Sequence, residues 1–167
     1  MKKRILILLL ALAPALAFGQ AGKVKQANRD TQTWRYEIEP VTVGLQGTVV
    51  IRVWSFSRNP VIAGEQAKKN AVHGVMFKGI PTLERMPGKK PLVTPEEEVN
   101  SGQFLGQFFA DGGDYMRYVS LTNSAGGEEV LKVGKEYKVG VVVAVSYNEL
   151  RSYLESKAVI RSLDSGF

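Results

Sequence analysis

The chain contains no cysteine and one histidine, His73, among its 167 residues. The missing thiols exclude disulfides, thiolate catalysis, thiolate metal sites and the lipid-modified cysteine of a bacterial lipoprotein. Zinc and copper sites draw on several His, Cys or carboxylate ligands, so we expect no such metal cofactor. Without disulfides, the fold depends on its hydrophobic core.

Glycine motifs that bind nucleotides are also missing, because the 17 glycines form neither G-x-x-x-x-G-K-[ST] nor G-x-G-x-x-G. Lysine and arginine are dispersed along the chain, which does not favour nucleic-acid binding. Three of the six net positive charges lie within residues 2–4, so removal of the N-terminus leaves a mild +3. We therefore predict neither a cofactor nor a nucleic-acid partner.

One long apolar run is present, at Ile5–Ala13, directly after three basic residues. Small residues follow it, and the whole pattern is that of a secretory signal peptide over residues 1–19. Cleavage after Gly19 is favoured, and cleavage after Ala17 remains open. A membrane anchor fits less well because the run is shorter than the roughly 20 residues that span a bilayer. We expect an exported protein, periplasmic or associated with the outer membrane, with no further membrane span.

Removing 19 of the 167 residues leaves 148, which is enough for one domain and too few for two. Residues 20–33 show no periodicity and are expected to form a flexible N-terminus. A single domain is predicted over residues 34–167.

Alternating apolar and polar residues predict strands at 34–39, 48–56, 114–121 and 136–147. Pro40 is expected to place the first strand at an edge or to bend it. Helices are predicted from Asn59 to Gly79, after a capping box at Thr94, and over 148–157. Residues 123–135 are expected to form an exposed, hairpin-like connection. This order predicts a two-layer α+β fold, with an antiparallel or mixed sheet of four to five strands and two to three helices mainly on one face.

His73 falls on the first predicted helix, beside a row of small residues that is expected to face the sheet: Ala63, Ala67, Ala71, Gly74 and Val75. Because His73 lies off that row, we expect it to be partly exposed and to have no buried partner. A Ser–His–Asp hydrolase would have to use His73, yet no serine lies in a G-x-S-x-G elbow. A catalytic role for His73 is not favoured.

Aspartate and glutamate side chains could support metal binding or hydrolysis without the histidine. Asp111 and Asp114, in "DGGD", weakly resemble a calcium loop but fit a turn better, since the alternating acids of an EF-hand are missing. Glu96, Glu97 and Glu98 together with Asp111 could supply paired acids for glycosidic cleavage. The three glutamates are, however, already explained by the start of a helix.

Two segments indicate contacts with a partner. Trp54 belongs to an aromatic group on the first two strands that forms either core or a contact surface, and it would be a contact residue if it faced solvent while Ile51 and Phe56 faced inward. The proline-containing loop 80–94 carries apolar and basic residues that could dock a partner. The candidate partner-binding residues are Trp54, Arg58, Arg85, Met86, Lys89 and Lys90.

Four segments, "VVIRVWS", "AGEQAKKNAV", "YMRYVSL" and "YKVGVVVAVSYNELRSYL", together resemble the N-terminal domain of the flagellar T-ring/H-ring assembly protein and related small exported bacterial domains. The similarity covers about half of the mature chain, while loop 80–94 and the helix after Thr94 do not align. The resemblance implies a non-enzymatic envelope module within an assembly. It does not imply flagella.

We therefore expect an exported envelope protein that acts as a binding or assembly module, with an unidentified envelope protein as partner. Self-association into a homo-oligomer is left open. The alternative is a secreted hydrolase or carbohydrate-active domain that uses carboxylates such as Asp111 or Asp114.

Overall fold

The computed structural model describes residues 33–60, 63–84, 86–122 and 129–162, apart from the side chains of residues 63–65. The predicted signal peptide and the N-terminal segment up to residue 32 lie outside these ranges, and so does Arg85. Within them the strands are β1 (Tyr36–Val43), β2 (Thr48–Ser57), β3 (Val119–Leu121), β4 (Glu129–Val133) and β5 (Glu136–Ser146). The helices are α1 (Ala63–Phe77), α2 (Pro95–Asn100), α3 (Gly102–Phe108) and α4 (Tyr147–Ser156), with a 3₁₀ helix at Asp114–Tyr118.

The five strands form one antiparallel sheet in which β5 is central. Strand β2 pairs with one side of β5 along its length. The other side is shared, because β4 pairs with the first half of β5 and β3 with the second half. This architecture confirms the predicted α+β class with an antiparallel sheet.

Strand β5 is central because both of its faces are apolar. Val139, Val141, Val143 and Val145 point to the helices and are buried, whereas Gly140 and Val142 on the opposite face are also buried. A strand that is apolar on both faces is stable only when neighbours cover it. The strand predicted over residues 136–147 is confirmed.

Strand β1 is the edge next to β2. Its register with β2 shifts between Pro40 and Thr42, which is the bend expected at a proline that cannot donate a ladder hydrogen bond. Glu37 and Glu39 are exposed on this strand. Proline, bulge and charge together protect this edge against further pairing.

Helix α1 packs closely on the sheet through small residues. Ala67, Ala71 and Val75 are fully buried, as predicted, and Gly74 brings the helix against Ile38 of β1. The helix ends at Gly79, whose φ of +75° is the left-handed conformation that glycine adopts most easily. The Gly79 amide donates to the Gly74 carbonyl at 2.9 Å.

The predicted helix after Thr94 is divided in two at Ser101. The predicted capping box is present, since the Thr94 side chain accepts from the Glu97 amide and the Glu97 carboxylate accepts from the Thr94 amide. Ser101 leaves helical geometry, and α3 starts there without a side-chain capping bond. Two glycines, at 102 and 106, weaken the helical propensity of this segment.

Two sequence predictions about strands are wrong. Residues 114–118 form a 3₁₀ helix, and only Val119–Leu121 extend as a strand, because Tyr115 and Tyr118 are both drawn into the core. Part of the segment expected to be a hairpin-like connection forms β4, which pairs with β5 from Glu129 to Val133. Residues 158–162, after the last helix, contain no strand.

The core lies between the helices and one face of the sheet. It joins the inner residues of β2 and β5 to α1, to the aromatic residues of α3 and the 3₁₀ helix, and to Leu150 and Leu154 of α4. Trp54 and Val142 are buried but belong to the opposite face, which we call the open face. None of the helices in the described ranges is long and apolar enough to span a membrane.

Candidate functional site

His73 is buried, with 9% of its surface exposed, so the prediction of a partly exposed histidine is wrong. The Trp34 ring stacks on the imidazole with centroids 3.6 Å apart, and Phe77 and Phe109 close the remaining sides. The prediction failed because it treated the side of α1 beside the alanine row as solvated. Aromatic residues before β1 and after α3 cover that side.

The partner of His73 is the Tyr36 hydroxyl, 2.7 Å from Nδ1. Burial raises the pKa of Tyr36, so its hydroxyl stays protonated and forms a hydrogen bond with the neutral ring. Burial first, and the charge of Lys78 second, lower the pKa of His73 to about 3. A catalytic base works best with a pKa near the operating pH and within reach of substrate. His73 meets neither condition, and its role here is structural.

Trp54 and Phe56 lie on the open face, while Ile51 points to the core, so the two aromatic rings share a face. Trp54 lies flat over Gly140, and only 6% of it is exposed. Its indole N–H is buried and has no hydrogen-bond partner among the described residues. Trp54 is therefore a covered residue of the open face and does not project into solvent.

Three cations cover the two rings. Lys138 Nζ lies 5.0 Å from the Trp54 ring and 5.7 Å from the Phe56 ring, and the Arg35 guanidinium lies 4.8 Å from Phe56. The Arg52 guanidinium lies 5.7 Å from Trp54. These distances are within the range of cation–π attraction.

Each of these cations has an acidic partner on the far side of an intervening strand of the sheet. Lys138 Nζ lies 2.6 Å from Glu37, and Arg52 lies 3.7 Å from Glu129. Arg35 bonds to Glu136, and this hydrogen bond, reinforced by the charges of Arg35 and Arg58, lowers the pKa of Glu136. The ion pairs form a charged layer over the two rings. Because the pairs are partly exposed, salt and solvent weaken the attraction within each pair, so the charges can separate.

Strand β4 borders this face and is exposed along its whole length. Val130, Leu131 and Val133 are 48%, 45% and 51% exposed. In the described part of the chain, β4 pairs only with β5, which leaves its outer backbone edge without a partner strand. β4 has no proline and no bulge in its ladder with β5, in contrast to β1.

Loop 80–94 lies apart from the open face. It forms a narrow antiparallel turn through the pairs Ile80–Lys89 and Leu83–Met86. Met86 is buried in the core, so its side chain is not on the surface. The Lys89 ammonium lies 4.4 Å from the Tyr147 ring, and Lys90 is exposed.

The structure thus does not unite the six predicted contact residues. Arg58 follows the end of β2 that pairs with Tyr137, whereas Lys89 contacts Tyr147 at the opposite end of β5. Trp54 and Arg58 belong to the open face, and Lys89 and Lys90 belong to a separate loop. Strand β4 was missed, although its three apolar residues, two of them β-branched, were a detectable signal.

Two concave regions that are lined by described residues include part of α4. The larger, about 750 Å³, lies between α2 and the chain after α4; there Glu97 bonds to Thr94 and Glu155 pairs with Arg151. The smaller, about 380 Å³, lies between α3 and α4 and includes Asp114 and Tyr153. Within the described ranges, no group of three or more His, Asp or Glu side chains is placed to hold a metal ion.

Comparison of the chain with protein-family models, with curated proteins and with solved structures finds no match. The resemblance to the flagellar T-ring/H-ring assembly protein therefore stays a prediction from sequence. Function has to be inferred from the surfaces described above.

Proposed function

We propose that the protein is an exported, non-enzymatic binding module of the cell envelope, and that it docks an extended segment of another envelope protein on β4. The observation that carries this proposal is the unpaired outer edge of β4 in the described part of the chain, together with its exposed Val130, Leu131 and Val133. Edge strands of this kind pair readily with other chains, and proteins that do not use them protect them. The opposite edge, β1, is protected by Pro40 and its bulge.

Strand addition explains why the apolar residues lie where they do. An added strand gains main-chain hydrogen bonds along the edge, and its side chains contact alternate residues on each face. Leu131 points to the open face beside Lys138, whereas Val130 points to the helix side opposite Val139. A partner segment with apolar residues at alternate positions would cover both.

The open face extends this surface. One row of paired residues crosses four strands: Glu129, Gly140, Trp54 and Glu37. A partner segment on β4 would therefore lie next to the ion pairs that cover Trp54. If these ion pairs separated, the Trp54 ring would be exposed, together with an indole N–H that has no partner among the described residues. A large aromatic ring with a free donor is typical of an interface anchor. Arg58 borders the same region through its interaction with Glu136.

Export rests on the sequence of residues 1–19, which has the charged, apolar and small-residue regions of a signal peptide. The resemblance stated above points to the same kind of module. Mass spectrometry of the mature protein from an envelope fraction tests export. We expect an N-terminus at Gln20 or Phe18, and an intact Met1 on the mature protein would contradict it.

The alternative hydrolase has less support from the geometry. Glycosidases generally use two carboxyl groups about 5 to 9.5 Å apart on either side of the scissile bond. Of the described residues that line the smaller cleft, Asp114 alone is acidic. The larger region is lined by Glu96, Glu97 and Glu155, of which Glu97 bonds to Thr94 and Glu155 pairs with Arg151. His73 is enclosed by aromatic rings and bonded to Tyr36, and it has no acidic hydrogen-bond partner among the described residues.

The experiment is capture from an envelope extract after mild crosslinking, with wild-type protein and two double variants as bait. Leu131→Lys/Val133→Lys places charges on β4. Val41→Lys/Val43→Lys places the same charges on β1, where Val43 is 55% exposed, and serves as the matched control. All four positions are exposed, so both variants should keep most of their stability.

We expect wild type and the β1 variant to capture the same partner and the β4 variant to lose it. Equal capture by all three proteins would contradict docking on β4, and no complex with any of them would contradict the assembly role. A Lys89→Glu/Lys90→Glu variant tests the separate loop. An unchanged set of partners would show that this loop does not contribute.

A further inference from the structure

The smaller cleft combines an aromatic wall with polar groups of both signs. It is lined by Phe104, Gln107 and Phe108 of α3, by Gly112, Gly113 and Asp114 of the following turn, and by Tyr153 and Lys157 at the end of α4. We propose that this cleft binds a neutral saccharide. The proposal goes beyond the protein-docking function of β4, since the two sites share no residue.

The aromatic wall provides a surface on which a sugar ring can stack. Phe104 and Tyr153 are partly buried, with ring centroids 6.1 Å apart, and both line the cleft. Phe108 lies behind them, 5.7 Å from Phe104 and 6.0 Å from Tyr153, and fixes their positions. Aromatic lining with a few placed polar groups is the usual composition of a small-molecule site.

The polar groups can both donate and accept hydrogen bonds, as sugar hydroxyls require. The Asp114 carboxylate accepts from the Tyr153 hydroxyl at 2.6 Å and keeps further lone pairs for a ligand. This hydrogen bond is the main reason that the pKa of Tyr153 rises to about 12, so the hydroxyl keeps the hydrogen that it donates to Asp114, and its oxygen can still accept from a ligand. Gln107 and Lys157 are exposed and line the same cleft.

The charges within the cleft favour a neutral ligand over an ionic one. Arg117 Nη1 lies 3.8 Å from Asp114 Oδ1, and Lys157 Nζ lies 5.6 Å from the Tyr153 ring centroid. A cationic ligand would compete with these two groups for Asp114 and the ring. An anionic ligand would be attracted by Lys157 but repelled by Asp114, so the lining charges give it no net attraction.

The turn after α3 keeps the cleft open. Gly112 has a φ of +72°, and a Cβ there would meet no atom within 4 Å, so its surroundings are empty space. Gly113 packs against the last carbonyls of α3, where any side chain would clash. Because Asp114 is the one acidic residue among the described lining, we infer binding of the sugar without its hydrolysis.

The experiment is a two-dimensional amide NMR titration of the mature chain with three neutral trisaccharides, namely tri-N-acetylchitotriose, cellotriose and maltotriose. We expect at least one of them to shift the amide signals of the cleft, at Gln107, Gly112, Gly113 and Lys157. The affinity should fall roughly three- to tenfold in Gln107→Ala, as expected for the loss of one net hydrogen bond. Gln103→Ala is the matched control, since Gln103 is exposed on the same helix and does not line the cleft.

A cleft that responds to none of the three sugars would overturn the proposal, as would shifts confined to residues elsewhere in the protein. Equal affinities for wild type, Gln107→Ala and Lys157→Ala would overturn it too. Each variant must first give the dispersed spectrum of the wild type, which establishes that it is folded. Because the β4 variants leave the cleft intact, failure here and failure of the docking proposal are separate results.

Discussion

Burial of His73 makes the free energy of unfolding depend on pH between about 3 and 6.5. In the folded protein the pKa of His73 is about 3, against about 6.5 in an unfolded chain. Below pH 6.5 the unfolded state therefore takes up a proton that the folded state does not. Stability is fully present above pH 6.5 and falls as the pH decreases towards 3.

The magnitude follows from the size of this pKa shift. Each pH unit inside the window costs about 1.4 kcal/mol, so lowering the pH from 7.5 to 5 should destabilise the fold by about 2 kcal/mol. Because His73 is the only histidine, no second imidazole contributes. Lys78, whose ammonium lies over the Tyr36 ring, stays charged throughout this pH range and adds to the cost of protonating the ring.

The assay is urea denaturation of wild type and His73→Gln at pH 7.5, 6 and 5. Glutamine retains an acceptor for Tyr36 but does not titrate, so the variant should lose much less stability over this range. Carboxyl groups titrate equally in both proteins and cancel in the comparison. An imidazole that titrates near pH 6.5 in the NMR spectrum of the folded protein would refute the burial argument, as would parallel pH dependence of the two proteins.

Three further substitutions test the packing. Gly140→Ala would place a Cβ 2.8 to 2.9 Å from three ring carbons of Trp54, so we expect a loss of about 1–3 kcal/mol and greater quenching of tryptophan fluorescence by acrylamide; unchanged quenching would contradict the placement of Trp54. Thr94→Ala should cost about 1 kcal/mol in urea denaturation, whereas Ser101→Ala, which removes no capping bond, should cost much less; equal losses would argue against the capping box. Leu154→Ala, at a fully buried position of α4, should cost about 2–5 kcal/mol, and a loss below 1 kcal/mol would contradict docking of α4 on the core.

The sequence was most informative where local chemistry decides the structure. The valine-rich run of β5, the capping box at Thr94 and the glycine that ends α1 all formed as predicted. Each of these features depends on neighbouring residues alone. A strand with two apolar faces must be covered on both sides, and a hydroxyl at the start of a helix accepts a hydrogen bond from one of its first amides. Glycine adopts the positive φ that ends a helix. The edge position of β1 followed in the same way from Pro40.

The sequence was least informative where distant segments meet. His73 is enclosed because Trp34, before β1, and Phe109, after α3, converge on α1, and no local pattern records that convergence. The same packing draws Tyr115 into the core and makes residues 114–118 a 3₁₀ helix instead of a strand. The cleft between α3 and α4 also joins residues more than 40 positions apart, such as Phe104 and Tyr153.

The central proposal is that β4 carries the partner surface, and photo-crosslinking in living cells tests it most directly. A photoreactive phenylalanine analogue would replace Leu131 on β4 in one strain and Val43 on β1 in another; both side chains are exposed at the two edges of the same sheet. We predict a light-dependent crosslink to a distinct envelope protein from position 131 and none from position 43. Equal crosslinking from both positions, or from position 43 alone, would contradict the account.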